Sequence, residues 1–248
     1  MQRTSTDFDR VKMLATTGLS DYEIAARTRL PRATVQRWRH RSAAPRTDSR
    51  AIDTEICISD GAAYSYLLGM YLGDGSLRRW GPSWILRITL DTAYPGIISD
   101  CCDAIQSLRP GKRPSPKDDY GGAKCVHIES TWREWPRLLP QHGPGRKHRR
   151  KIELADWQQQ IVDVAPGPFL RGLIHTDGWR GVNRVHVKGK DYEYPRYQFS
   201  NRSDDIRRLF TEACDRLGVQ WRPWTRYHVS VARRESVAIL DEYVGPKR

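Results

Sequence analysis

The chain has 248 residues, 38% of them hydrophobic, and a mean hydropathy of -0.69. No window approaches the ~20 apolar residues that span a bilayer, and the opening stretch MQRTSTDFDR has no secretory apolar core, so a membrane protein is excluded and a cytoplasmic location is expected. Lys and Arg number 42 against 29 Asp and Glu, a net charge of +13, which calls for a polyanionic partner and makes nucleic acid the leading one.

Arg supplies 33 of those 42 cations, and its planar fork suits phosphate and guanine edges. The five cysteines, Cys57, Cys101, Cys102, Cys125 and Cys214, form no C-x-x-C pair and have no histidine at zinc-finger spacing. Neither disulfides nor structural zinc is expected. Most should be small buried hydrophobes.

Residues 7 to 41 read as three short helices. The first runs from about Phe8 to Thr16 and is broken by Gly18. Ser20 can cap the second, with Asp21 and Glu23 favouring its positive end, and the third opens at Pro31. Val11, Leu14, Ile24, Ala25, Val35 and Trp38 form the apolar stripe that packs the three together. The segment GLSDYEIAARTRLPRATVQRW resembles the helix-turn-helix domains of bacterial regulators and recombinases. With Val35 and Trp38 turned inward, Arg32, Gln36 and Arg37 lie outward, where such a domain meets the major groove. Residues 41 to 59 have turn-rich composition and read as a tether.

From residue 60 two stretches match in order of elements, which is the mark of an internal duplication. YLLGMYLGDGSL heads the first and FLRGLIHTDGW the second. Each is followed by two strands, a helix, two strands and a final helix. In the first half the strands centre on 84 to 90 and 122 to 129, with a short one around Ser76 to Gly81 and a helix from about Tyr94 to Leu108. In the second they centre on 182 to 188, 194 to 200 and 226 to 231, with a helix from Asp204 to Leu217. Gly69 and Gly73 are four apart on one helix face, as are Gly172 and Thr176, so two helices can approach with their backbones nearly touching. That would bring Asp74 and Asp177 side by side, each before a glycine able to take the positive backbone angles of a helix stop. Two close like charges in a partly dry seam repel unless a cation sits between them, and oxygen ligands with open water positions favour magnesium over zinc.

At these residues the chain resembles the LAGLIDADG (DOD-type) homing endonuclease family in its single-chain, two-repeat form. The nine-residue signature aligns from Leu67 to Gly75 and again from Leu170 to Gly178. The resemblance implies an α+β fold over residues 60 to 244: two pseudo-symmetric αββαββα repeats with saddle-shaped antiparallel sheets, following the N-terminal tri-helical helix-turn-helix. It implies that Asp74 and Asp177 are the catalytic, metal-binding residues, with Mg2+ as cofactor and Mn2+ as a substitute. The earlier acid of the motif is replaced by Leu72 and His175, and His175 reads as a solvated or core-satisfied histidine ahead of one acting near the site. A basic residue is implied near the metals, and Lys124, Arg133 and Arg233 are the candidates. Met1 is no splicing nucleophile and DEYVGPKR carries no terminal His-Asn pair, so a self-splicing element is not expected.

The domains expected are a head at 1–45, a linker at 46–59, repeats at 60–140 and 167–248, and a basic connection at 141–166. Alternation along the strands puts Arg87 and Thr89 of the first repeat, and Arg184, His186, Lys188, Arg196 and Gln198 of the second, on a donor-rich face for DNA. Arg146, Lys147, Arg149 and Arg150 in the connection add five charges in six residues with Lys151, positioned to hold phosphates. Two functions follow. One is a magnesium-dependent, site-specific double-strand endonuclease acting as a monomer with an internal pseudo-twofold; the other is a DNA-binding regulator that joins a retired nuclease domain to a helix-turn-helix. Both imply double-stranded DNA and a nucleoid location, with no membrane and no protein partner.

Overall fold

The computed structural model describes residues 5–41, 58–109, 111, 113–118, 124–245 and 247. The chain divides into two compact units, Met1–Cys57 and Ile58–Arg248. Residues 42–57 of the expected tether, with Cys57, fall outside the described residues.

In the first unit α1 (Ser5–Thr16), α2 (Asp21–Thr28) and α3 (Arg32–Arg39) enclose Phe8, Val11, Ile24, Val35 and Trp38, with Leu14 and Ala25 packed alongside. Ser20 and Glu23 form a reciprocal capping box that satisfies the free N–H groups opening α2. Pro31 caps α3 from just outside it. Asp21 pairs with Arg39 at 2.7 Å, tying the second helix to the third. Arg32, Gln36 and Arg37 are exposed on the far side of α3.

The second unit runs α4 (Gly61–Asp74), β1 (Gly75–Trp80), β2 (Ser83–Asp91), α5 (Pro95–Leu108), β3 (Pro116–Asp118), β4 (Cys125–Trp132) and α6 (Trp135–Leu138). A connection follows. The order then recurs as α8 (Pro166–Asp177), β5 (Gly178–Val187), β6 (Lys190–Ser200), α9 (Asp204–Arg216), β7 (Arg222–Thr225), β8 (His228–Val231) and α10 (Arg234–Tyr243). Each repeat is αββαββα, with one antiparallel sheet apiece in the orders β1-β2-β4-β3 and β5-β6-β8-β7. Leu86, Ile88 and Leu90 of β2, with Tyr197 and Phe199 of β6, turn one sheet face into the core. Cys101, Cys102 and Cys214 are buried hydrophobes there. Among the described residues no helix is long and apolar enough to cross a membrane.

The connection holds structure its basic composition did not announce. A short 3-10 turn at Lys147–Arg149 is followed by α7 (Asp156–Val164). Buried Gln158 on α7 donates to the Tyr64 hydroxyl of α4 at 2.6 Å and accepts from Gln141. A buried amide must be paired on every side, and this network fixes the connection against the first repeat.

The seam between α4 and α8 is set by missing side chains. A β-carbon at Gly69 would lie within 3.0 Å of the Gly172 Cα and 2.9 Å of the Leu173 nitrogen, and one at Gly172 would lie 2.8 Å from the Met70 nitrogen. Gly73 faces Thr176 one turn later, where a β-carbon would come within 2.6 Å of the threonine Cβ. These obstacles are mostly backbone, which cannot swing aside. The glycines after the two acids differ from expectation. Gly75 and Gly178 have φ of -90° and -108°, so neither takes a left-handed stop. The chain runs directly from helix into strand, and glycine is needed because a β-carbon would press on the Tyr71 and Ile174 Cα atoms at 2.5 Å.

Overpacking a close backbone contact costs about 1–3 kcal/mol. Gly69→Ala and Gly172→Ala should each lower the unfolding free energy by at least that much in urea titration. An unchanged midpoint would show that the helices part freely.

Candidate active site at the helix seam

Every residue of α4 from Tyr64 to Leu72 is buried, so the helix has no choice of facing and is held on all sides. Asp60 caps its start, accepting from the Ala63 N–H at 2.8 Å. α8 opens on Pro166, whose missing N–H is free of cost in a first turn. Side by side through the glycine contact, the two helices end close enough for the charge of Asp74 to act on Asp177, which lines the cleft there.

Asp74 is open to solvent and Asp177 half-buried, yet the protein mass around each pushes its carboxyl above the usual carboxylate range. Asp177 reaches about 6, from burial first and then the negative charge of Asp74, against a partly offsetting hydrogen bond from Asn201. The Asn201 amide donates to Asp177 Oδ2 at 2.6 Å. A cavity of about 460 Å3 opens beside Asp177, lined by Lys147, Arg146, His148, Arg150, Asn201 and Arg202 among others.

Two lysines accompany the carboxylates. Lys147 Nζ donates to the Tyr71 carbonyl and, at 2.8 Å, to the Gly73 carbonyl, and lies 5.0 Å from the centre of the Tyr71 ring. Lys247 Nζ donates to the His175 and Gly178 carbonyls at 3.2 and 2.6 Å. Each lysine therefore sits at the negative end of one motif helix, which favours a cation. Both feel both carboxylates. Burial nevertheless lowers Lys147 to about 8, and Lys247 is also lowered chiefly by burial. A lysine lowered as far as Lys147 gives up its proton more readily than one in water.

The basic residues sought from sequence lie elsewhere. Lys124 is exposed beside β4, Arg133 pairs with Glu134 at 2.9 Å, and Arg233 caps α10. A signal for the two lysines at the helix ends was present in the chain: Gly145-Arg146-Lys147 and Gly245-Pro246-Lys247 repeat a Gly-x-Lys after the last helix of each half, and both glycines have positive φ, 79° and 66°. Lys147, expected among the phosphate contacts, is part-buried and donates to the Tyr71 and Gly73 carbonyls. Arg150 folds back too, donating to the Gln141 carbonyl. Arg146 and Arg149 remain exposed.

His175 is 5% exposed and shares a 3.0 Å hydrogen bond with the Tyr66 hydroxyl; burial lowers it to about 4. It is a neutral core residue at working pH.

The strand residues divide differently from the alternation reading. Directly opposed residues of an antiparallel pair share a face. Arg196 and Gln198 oppose Gly181 and Trp179, whereas Arg184 and His186 oppose Glu193 and Asp191. The odd-even count therefore puts Arg184 and His186 on the other face, paired with those acids at 2.8 and 2.7 Å. Lys188 is on neither face, for with φ of 50° it forms the hairpin turn with Gly189. Arg87 shares its face with Glu129, which it meets at 2.7 Å, and Thr89 bonds His127 at 3.1 Å. Strands taken singly conceal the acids that their neighbours bring.

A homeodomain-like domain model matches residues 11–48. The chain is 23% identical over 177 residues to the uncharacterized protein MJ0398 of Methanocaldococcus jannaschii, covering 69% of this chain and 57% of that protein, so it spans little more than half of that relative's length. Among solved structures it is similar to I-DmoI in complex with DNA and Mn, at 12% identity and a TM-score of 0.48 over 75% of this chain and 98% of that one. It is also similar to the K262A mutant of I-SmaMI, at 10% and 0.45 over 73% and 84%. The N-terminal LAGLIDADG domain of WhiA matches at 11% and 0.45 over 78% and 86%.

Raised carboxyl groups hold protons that the unfolded chain releases near pH 4, so stability falls as pH climbs from about 4 to the folded value of about 6 for Asp177. Without divalent cation, Asp177→Asn should melt higher than the parent at pH 7.5, by on the order of 2–4 °C. The gain should vanish toward pH 4 in a calorimetric series; a pH-independent difference would mean that the carboxylate carries no such penalty.

Proposed function

We propose that this chain is a site-specific double-strand DNA endonuclease of homing type, hydrolysing one phosphodiester per strand with one Asp from each repeat. The observation that carries the reading is the meeting of Asp74 and Asp177 at two helix ends, with each carboxyl raised and Asp177 raised in part by Asp74. Structural ion pairs lower carboxylates; an arrangement that raises two of them at one open cleft is the kind a protein keeps for chemistry.

The residues suit a divalent cation with a preference for oxygen. Among the described residues no group of three or more His, Cys, Asp or Glu converges, so the protein would contribute the Asp74 and Asp177 carboxylates and leave the other positions to water and phosphate, as magnesium prefers and manganese tolerates. Such an ion supplies Lewis-acid stabilisation of the charge that develops on phosphate oxygens. Lys147, near its own titration point and tied to the α4 carbonyls, holds a positive charge toward the scissile phosphate and can pass a proton. Asn201 orients the Asp177 carboxylate.

Arg87, Thr89, Arg196 and Gln198 would face the duplex, with Arg146 and Arg149 on phosphates. The head, with Arg32, Gln36 and Arg37, would add affinity by effective concentration. In this reading residues 1–45 are the head, 46–59 its tether, 60–140 and 167–248 the repeats, and 141–166 their connection.

A second reading, a DNA-binding regulator on a retired site, has one observation in its favour. Lys147 and Lys247 place two cations against two carboxylates, which balances the cleft without any metal. Cleavage decides between them. Incubated with a randomised duplex library and magnesium, the parent should cut both strands, whereas Asp74→Asn and Asp177→Asn should each bind DNA and lose at least 100-fold in cutting, about the effect of removing one transition-state contact. Binding without any magnesium-dependent cleavage selects the regulator. Removing residues 1–45 should weaken DNA affinity at least tenfold in a gel-shift titration while leaving the melting transition of the second unit intact; unchanged affinity removes the head from the binding surface.

A further inference from the structure

The second sheet carries an extension that the first lacks. β8 pairs only with Tyr197–Ser200 of β6, so Lys190–Pro195 and their partners Val182–Val187 stand as a bare two-stranded ribbon. At ~3.3 Å per residue it projects about 20 Å. It closes on Lys188 and Gly189, both at positive φ, 50° and 76°, the geometry of a tight two-residue hairpin. In the first sheet β4 supports β2 along its length, from Trp84 to Asp91.

The two faces of the ribbon are chemically opposite. One bears Val182, Arg184 and His186 across from Pro195, Glu193 and Asp191, with both basic residues paired to acids. The charges of this face are balanced, and Val182 is the one large hydrophobic exposed on it. The other bears Asn183, Val185 and Val187 across from Tyr194, Tyr192 and Lys190 and contains no acid. Its Val185, Val187, Tyr192 and Tyr194 are 36–46% exposed, and the two tyrosine rings stack at 6.3 Å. By strand parity this face continues into Arg196 and Gln198 toward the cleft.

Four large apolar side chains on an unsupported ribbon are costly in water and require a cover. We infer that the cover is the major groove of an A·T-rich segment at one end of the duplex, and that this ribbon makes the second repeat read that segment; the inference rests on the DNA-binding reading proposed above. A two-stranded ribbon fits the major groove. There, apolar groups meet the methyl of thymine, and amides such as Asn183 and Gln198 pair with adenine. The cations on this face, Lys190 and Arg196, complement phosphate, and no acid stands on it to repel phosphate. The acids of the same two strands have been sorted to the opposite side.

The test is selection of random duplexes by the full-length protein in EDTA, followed by titration. The parent should enrich a site with an A·T run at one end. Replacing thymine by uracil within that run should weaken binding about fourfold per methyl removed, the value of one buried carbon, and should leave the other end indifferent. The Val185→Ser, Tyr192→Ser double variant, folded by its melting curve, should enrich the same site without the run. Enrichment of no sequence at all would overturn the DNA-reading function together with this inference. An A·T run that persists in the variant, or affinity blind to uracil, would overturn the ribbon's role alone. So would a concentration-dependent dimer of the free protein that the double variant abolishes, because the ribbon would then be covered by a second copy.

Discussion

The contact of Gly69 with Gly172 governs the rest of the second unit. Two backbones can come this close only where neither carries a side chain, and once they do, everything attached to the helix ends is fixed by rigid geometry. The positions of Asp74 and Asp177, the mouths of the two sheets and the anchor points of both lysines are all downstream of that approach. Apolar burial alone would not achieve it, since leucines at the same positions would bury more surface and hold the carboxylates apart.

What the seam brings together is electrostatically expensive. Two carboxylates are placed where both hold a proton more tightly than they would in water, and two ammonium groups where burial resists their charge. The four groups nonetheless sum to no net charge when all are ionised. The fold thus holds a set of charges that each resist ionisation and that support one another across the cleft. The core that tolerates this is the continuous apolar wall of α4 and α8, built from Leu67, Leu68, Met70, Phe169, Leu170 and Leu173.

Much of this was legible in the chain. The duplicated Asp-Gly helix ends identified both repeats, small residues four apart marked the seam, and Ser20 with Pro31 delimited the helices of the head. The short strands β3 and β7 were expected only as members of a series, being three and four residues long. The lysines escaped because their role depends on a return path through space. Lys147 is 73 positions from Asp74 along the chain, and nothing in a run of five cations says which one turns inward. Strand parity escaped for a related reason. Alternation within β5 and within β6 is visible, but which phase of one matches which phase of the other depends on the two-residue turn at Lys188 and Gly189. A shift of one residue exchanges the faces.

The all-round burial of α4 carries an evolutionary implication. Half of this unit, taken alone, would leave an almost wholly apolar rod in water, with its glycine stripe uncovered. Such a half is stable only while the other covers it, so neither repeat is a folding unit by itself. It also means that mutational drift at one glycine of the stripe is policed by the opposite half, and the two copies, however far their letters diverge, remain answerable to each other at that line.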